Sequence, residues 1–445
     1  MKISIIGAGR SGIAAAFLAK DLNFEIFLSE FNTLEKFSHL IPQLEENQIK
    51  FEFGQHSSEK ILKSDLIVVS PGVPPDIPVL LEAQQRNIPI ISEIEFAWQN
   101  SKNPVVAITG TNGKTTTTSL IEFIFKKSGK KAVAAGNIGY AYSEVVRKCE
   151  KDTIIVLEVS SYQLDRIITF NPEVSIILNI TPDHLTYHKS LENYIKAKFN
   201  ICKNHKENNL FILNADDQII AKYKHFSKGD VAYFSYNKKV KGIYCNNGKI
   251  ILNYPNKHKE EELMNIDELS LPGLHNVYNS MAAALSARAF EITNEDLRDS
   301  LMQFDGVEHR LEYVRTINGV DFINDSKATN VNATWYALSS YDKPIIWIAG
   351  GRADNNDYSQ LDNVVKNNVK SIICLGEEAD NIFQHFVTMK RCFKVYDLAE
   401  AILKSLDIAE PGDVVLFTPA CKSFDMFLNF EHRGEVFKEI VNGIE

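Results

Sequence analysis

A chain of 445 residues is too long for one small core and, at roughly 100–200 residues per domain, is expected to hold three. Hydrophobic residues at 44% and charged residues at 24% are ordinary for a globular protein and exclude a disordered or low-complexity one. The net charge of −9 argues against nucleic acid as a partner, because neutralising phosphates takes a basic face that this composition does not advertise.

The N-terminal stretch MKISIIGAGR turns polar too soon for the apolar core of a signal peptide, and no apolar run approaches the roughly 20 residues of a membrane helix. Membrane insertion is not expected. Cys149, Cys202, Cys245, Cys374, Cys392 and Cys421 are scattered without a C-x-x-C pair, so a reduced cytoplasmic protein is the expectation. It is expected to act as a monomer.

In chain order, short apolar runs that end in small or polar residues alternate with helical periodicity, the pattern of parallel α/β layers. Residues 1–99 supply the strands KISIIG, FEIFLSE, DLIVVSPG and IPIIS. The first runs into Gly7, Gly9 and Gly12, a G-x-G-x-x-G turn before a helix, with Glu30 after the second strand. Alone this is a dinucleotide fingerprint and would suit a nicotinamide-dependent oxidoreductase. The chemistry asks only for a diphosphate at a helix N-terminus and a nucleoside beyond the second strand, so a UDP-linked substrate fits equally well. Gly9, Arg10, Ser11 and Glu30 are the candidate contacts, and the SPGVP turn adds Gly72.

A polar break at Ser101–Pro104 suits a linker. Residues 100–299 continue with VVAITG, TIIVLEV, VSIILNI and NLFILNA. YFSY and GKIILNY are expected to form an antiparallel hairpin attached to this sheet, and an Ala-rich helix from Asn276 to about Ala289 closes the segment. VVAITGTNGKTTTTSLIEFIF is a strand, a tight turn and a helix. Backbone N–H groups of Gly110, Thr111, Asn112 and Gly113 are placed to cradle phosphates, Lys114 to neutralise terminal phosphate charge, and Thr115 or Thr116 to hold magnesium. Ile108 stands where the usual G-x-x-x-x-G-K-[ST] loop has its first glycine, so the loop is a shorter one. Glu158, near the end of TIIVLEV, is a magnesium-ligand candidate once paired with that loop; by itself it would read as a structural carboxylate.

Residues 300–445 repeat the logic with VDFIND, PIIWIAGG, SIICLG and DVVLFTPA. The expected fold is α/β in three domains: a Rossmann-like N-terminal domain for a UDP substrate, a central P-loop ATPase-like domain, and a Rossmann-like C-terminal domain for an amino acid. Ligands in such sheets bind beyond the strand C-termini.

GTNGKTT, LEVSSYQL, NITPDHLTYH, YIKAK, LPGLHNVYN, VEHR and NDSKATN occur together in the order of the Mur ligase family, which the chain resembles over nearly its whole length. The resemblance implies an ATP-dependent amide ligase: a substrate carboxylate takes the γ-phosphoryl group of ATP, and an amino acid's amine displaces phosphate from the resulting acyl phosphate. ISEIEF and PACKSFDMFLNFEHRGEVF are similar to members that add D-glutamate to UDP-N-acetylmuramoyl-L-alanine in peptidoglycan precursor synthesis. Members that add L-alanine or a diamino acid, or a folylpolyglutamate synthetase-like enzyme, are the alternatives.

The resemblance further implies Lys114, His184 and Lys198 as catalytic groups. It implies two magnesium ions, held through Thr115, Glu158, His184 and a carbamylated Lys198. Asn279, Arg310 and Asp325 match its nucleotide positions. Asn137 and Ser161 match positions near the activated carboxylate. Lys327, Thr329, Ser423 and Phe430 match C-terminal substrate contacts, the last three on the D-glutamate pocket. The chain departs from the family pattern twice. Thr186 follows DHL where an aspartate is common, and Asp354 falls where a lysine usually meets the amino acid's carboxylate. Arg352, two residues earlier, is expected to take over that contact, since guanidinium binds carboxylate in a bidentate fork.

Overall fold

The computed structural model describes residues 1–444 apart from 224–226, 255–259, 342 and 353–355; the side chains of Leu185, Thr186 and Asn332 also lie outside that description. Three sheets carry the chain. The first contains β1 (Lys2–Ile6), β2 (Glu25–Glu30), β3 (Lys50–Phe53), β4 (Leu66–Val69) and β5 (Ile90–Ser92). Its strands lie in the order β3-β2-β1-β4-β5, all parallel. The order reverses direction at β1, so the glycine turn that follows β1 sits at the switch point, where open α/β sheets leave a crevice.

The second sheet contains β6 (Val105–Thr109), β7 (Ala132–Gly136), β8 (Ile154–Glu158), β9 (Val174–Ile177), β10 (Leu210–Asn214), β11 (Asp230–Ser235), β12 (Gly242–Asn246), β13 (Lys249–Asn253) and β14 (Glu261–Asn265). The order is β14-β13-β12-β11-β10-β9-β6-β8-β7. Every residue of β6, β8, β9 and β10 is buried, which is why these strands read as unbroken apolar runs rather than as alternation. The expected hairpin is displaced by one strand. Tyr233–Ser235 of YFSY lie in β11, which is parallel to both β10 and β12, and the hairpin is β12–β13. Its two-residue turn is Asn247–Gly248, both at positive φ (49° and 76°), the geometry that matches strand twist.

The third sheet contains β15 (Glu312–Ile317), β16 (Val320–Asn324), β17 (Ile345–Gly350), β18 (Val369–Leu375), β19 (Arg391–Lys394) and β20 (Val414–Phe417). The order is β15-β16-β20-β17-β18-β19, with only β15 antiparallel. Apolar clusters cover both faces, one around Trp347 and Phe386, the other around Phe417 and Phe437. Strands β3, β7, β12, β14, β15 and β19 escaped the sequence reading. KFEF, EYVRTI and RCFK are only half-buried, and AVAAG has few large apolar groups to signal it.

By compactness the chain falls into two units: residues 1–269 with 277–304, carrying the first two sheets, and 270–276 with 305–445, carrying the third. Within the first unit, the ISEIEF segment fastens the sheets together. Ser92 caps the helix Glu93–Gln99, and the buried Glu95 carboxylate accepts the N–H groups of Ile168, Thr169 and Phe170 at 2.8–3.0 Å. Glu93 accepts Ser143 N–H at 2.6 Å, and full burial pushes its carboxyl up to about 6. The polar break before β6 is pinned as well, with Asn103 donating to the carbonyls of Glu150 and Thr153. Among the described residues no helix is long and apolar enough to cross a membrane.

Candidate active site

The turn after β1 is built on two glycines, Gly7 and Gly12, that have no room for a side chain. Gly7 has φ +99°, and a Cβ on Gly12 would collide with the Gly7 carbonyl, so the helix Arg10–Asp21 approaches the strand end closely. Gly9, the N-cap of that helix, faces open space, as does Gly72. Arg10 is exposed and Ser11 half-buried. Glu30 is 7% exposed and both its oxygens are engaged: one accepts Ala8 N–H of the turn at 2.8 Å, the other Asn32 N–H at 2.8 Å and its amide at 2.6 Å. Burial opposes ionisation, but these donors outweigh it and hold the carboxyl below its usual range.

The loop after β6 uses glycine differently. Gly113 (φ +81°) stands at the start of the helix Lys114–Lys127, and a Cβ there would strike the carboxamide of the buried Asn279. Asn179 clasps the loop, its side chain accepting Asn112 N–H at 2.8 Å and donating to the Asn112 carbonyl at 3.0 Å. Thr111 is held by the Thr181 carbonyl and the Tyr194 hydroxyl. Lys114 Nζ donates to the carbonyls of Gly110 (2.9 Å) and Thr111 (2.8 Å). Thr115 is half-buried and Thr116 buried, both in the first turn of the helix.

Two buried charged side chains stand beside this loop. Glu158, 2% exposed at the end of β8, accepts the Asn137 amide on Oε1 at 2.9 Å, while its Oε2 is buried with no hydrogen-bond partner. Lys198, 2% exposed, donates to the Gly110 carbonyl at 2.8 Å and lies 4.6 Å over the Tyr194 ring. Burial, reinforced by the Lys114 charge, pushes the Lys198 amine well below the ordinary lysine range against the pull of Asp183 and Glu158. His184, exposed at φ +52°, packs its ring 5.0 Å from that of Tyr162. Ser161 is buried and shares a 3.0 Å hydrogen bond with His188 Nε2.

In the second unit, Asp325 follows β16 fully buried. Its carboxylate accepts Thr418 Oγ1 at 2.9 Å and lies 3.6 Å from Arg310; burial nonetheless pushes the carboxyl up to about 6. Lys327 sits over the Phe430 ring at 4.9 Å, Thr329 is half-buried, and Ser423 is 2% exposed. Arg433, buried in the helix Phe430–Asn442, ties these loops together, donating to Ser326 Oγ, the Ser326 carbonyl and the Cys421 carbonyl. Arg352 pairs with Glu377 at 3.1 Å.

Three family models match this chain: a Mur ligase MurD-like N-terminal domain over residues 1–92, a Mur ligase middle domain over 108–287, and a Mur ligase glutamate ligase domain over 309–421. The UDP-N-acetylmuramoylalanine–D-glutamate ligase of Salinibacter ruber is 41% identical across 99% of this chain and 97% of its own. Its namesake from Clostridioides difficile is 40% identical across 100% and 99%. This chain belongs to the Mur ligase family. The fold of the family extends to solved structures of low identity. UDP-N-acetylmuramate-alanine ligase MurC of Thermotoga maritima has a TM-score of 0.61 at 19% identity, covering 99% of both chains. A pseudomurein peptide ligase type C of Methanothermus fervidus has 0.60 at 21%, covering both chains entirely.

In this Mur ligase the structure brings Gly110–Thr116, Asn279, Glu158, Asn137 and Lys198 into one constellation, and Arg310 and Asp325 into another. The sequence reading left out Asn179, Asp183 and His188, which join the first. All three lie in NITPDHLTYH, and the i, i+4 spacing of His184 and His188 was the available signal. Asp354 lies outside the described residues, as does the Thr186 side chain. The donor set fits magnesium: Glu158 offers a buried, unpartnered carboxylate oxygen beside a phosphate loop, and Mg²⁺ is held by one or two carboxylates plus substrate phosphates. Among the described residues no group of three or more His, Cys, Asp or Glu side chains is arranged to hold a metal ion.

Proposed function

We propose that this chain is the ATP-dependent ligase that adds D-glutamate to UDP-N-acetylmuramoyl-L-alanine, a cytoplasmic step of peptidoglycan precursor synthesis. One observation carries the chemistry. Lys198 is buried against the Gly110 carbonyl, beside Lys114 and the orphaned Glu158 oxygen, in a chain 41% identical throughout to a D-glutamate-adding ligase.

The backbone donors of Gly110–Gly113 and the Lys114 ammonium hold the ATP phosphates, so the γ-phosphoryl group is presented with its charge partly neutralised. The alanyl carboxylate of the UDP-linked substrate, placed near Asn137 and Ser161, takes that phosphoryl group and ADP leaves. The D-glutamate amine then attacks the acyl phosphate carbonyl, phosphate departs, and the amide remains. Asn279, Arg310 and Asp325 serve the nucleotide. Gly9, Arg10, Ser11 and Gly72 receive the UDP end, with Glu30 bracing their turn. Lys327, Thr329, Arg352, Ser423 and Phe430 serve the amino acid.

Thr115, Glu158, His184 and Lys198 would hold two magnesium ions, which when bound supply the remaining neutralisation of phosphoryl charge. A lysine ammonium repels such an ion. The depressed basicity of Lys198 leaves its amine neutral, able to add carbon dioxide through nitrogen with loss of one N–H proton to solvent, and the resulting carbamate is an oxygen ligand of the right sign.

The test is phosphate release with Mg-ATP and UDP-N-acetylmuramoyl-L-alanine while amino acids are supplied one at a time. Release that depends on D-glutamate is expected. Release with L-alanine or a diamino acid instead would move the enzyme elsewhere in the family, and no release with any would defeat the reading.

A further inference from the structure

The carboxyl ends of β17 and β18 are built to come together. Gly350, Gly351 and Gly376 all have positive φ (131°, 139° and 75°), and a Cβ on any of them would collide with the neighbouring strand end or with the 421–425 loop. That close approach places Arg352 beside Glu377, 25 residues on. Arg352 N–H donates to the Lys422 carbonyl at 2.8 Å, next to Ser423, and Glu377 N–H donates to Asp425 Oδ2 at 3.2 Å. The side chains meet in a fork, Arg352 Nε to one oxygen of Glu377 (3.3 Å) and Nη2 to the other (3.1 Å). Arg352 is therefore already held in the two-pronged geometry with which guanidinium recognises a carboxylate, and the occupant is a carboxylate of the protein itself.

We propose that Glu377 is an internal competitor for D-glutamate: a carboxylate of the substrate takes over the Arg352 fork and Glu377 swings out to solvent. The pair is suited to exchange. Its side chains are 47% and 50% exposed, so the ion pair is weakly held and Glu377 is readily hydrated on release. This inference rests on the D-glutamate reading and on Arg352 as the carboxylate contact.

The experiment is steady-state kinetics of the full chain as Arg352→Ala, Glu377→Gln and the double variant, with melting curves to verify folding. Glu377→Gln is expected to lower the KM for D-glutamate about two- to fivefold, the scale of an exposed ion pair, and to leave the KM for ATP unchanged. Arg352→Ala is expected to raise the D-glutamate KM about tenfold or more, and in that background Glu377→Gln should have no further effect. An unchanged or raised KM in Glu377→Gln overturns the proposal. So does an equal gain in the Arg352→Ala background, or an Arg352→Ala enzyme with normal KM. Each of those outcomes leaves D-glutamate-dependent ligation intact, whereas a wild-type enzyme inactive with D-glutamate would sink the underlying reading as well.

Discussion

The turn after β1 and the loop after β6 are two versions of one device, a buried parallel strand feeding a helix through glycines, and they differ in what surrounds the glycines. Around the first, the nearby carboxylate, Glu30, is consumed by the Ala8 N–H of the turn and by Asn32 beyond β2, and Gly9 looks out on open space. Around the second, Gly113 is packed against Asn279, a lysine lies on the loop, and a buried carboxylate oxygen without a partner and a buried amine held on the Gly110 carbonyl stand beside it. A glycine turn supplies donors for phosphate; the charged groups around it decide whether phosphate is merely gripped or transferred. The first turn suits a passive diphosphate handle, the second a reacting phosphoryl group.

The sharpest way to break this contrast is at Lys198. Lys198→Ala is expected to lose on the order of 10³-fold in kcat/KM, the cost of an essential charge stabiliser, with partial rescue by a small carboxylate such as formate. Full loss without rescue, or rescue by a small amine instead, would mean that the site uses an ammonium and not an anion. Next, Gly113→Ala forces a side chain onto Asn279 at a left-handed φ. ATP KM should rise about tenfold or more while the KM for the UDP substrate holds.

Gly9→Ala is the counterpart in the first turn. Its Cβ meets nothing in the protein, so folding and ATP KM should be preserved, while the UDP-substrate KM rises severalfold if the diphosphate approaches there. An unchanged KM for both substrates would remove the first turn from the binding site.

Glu93, between the two devices, bears on stability and not on turnover. Its folded-state value of about 6 exceeds the ordinary 4.5, so the neutral form is favoured on folding. The resulting stability is fully present below pH 4.5 and is lost as pH rises through about 6, a swing of roughly 2 kcal/mol. Glu93→Gln should flatten that slope in urea melts collected across this range; an unaltered slope would assign it to another group, such as Asp325, which is raised to about 6 in the same way.

Much of this was legible in the sequence because the decisive patterns are local. Buried parallel strands announce themselves as apolar runs, and glycines at fixed offsets specify a strand–turn–helix junction whatever lies around it. Thus Gly7–Gly12, Gly110–Thr116 and the Glu158 strand could be placed from residues alone, while half-buried strands such as KFEF and RCFK could not. Choices among chemically identical groups needed the tertiary structure. In the helix Leu191–Phe199 both Lys196 and Lys198 are lysines. Packing of Tyr194, Ile195 and Phe199 into the core turns Lys198 onto the Gly110 carbonyl and leaves Lys196 outside, paired with Glu192. The same holds for Glu30, one oxygen of which is claimed by the Ala8 N–H 22 residues away, and for the Arg352–Glu377 fork, made by two strand ends meeting. Sequence periodicity determines which backbone segments form; burial and long-range partners determine which of their charged groups are left free to react.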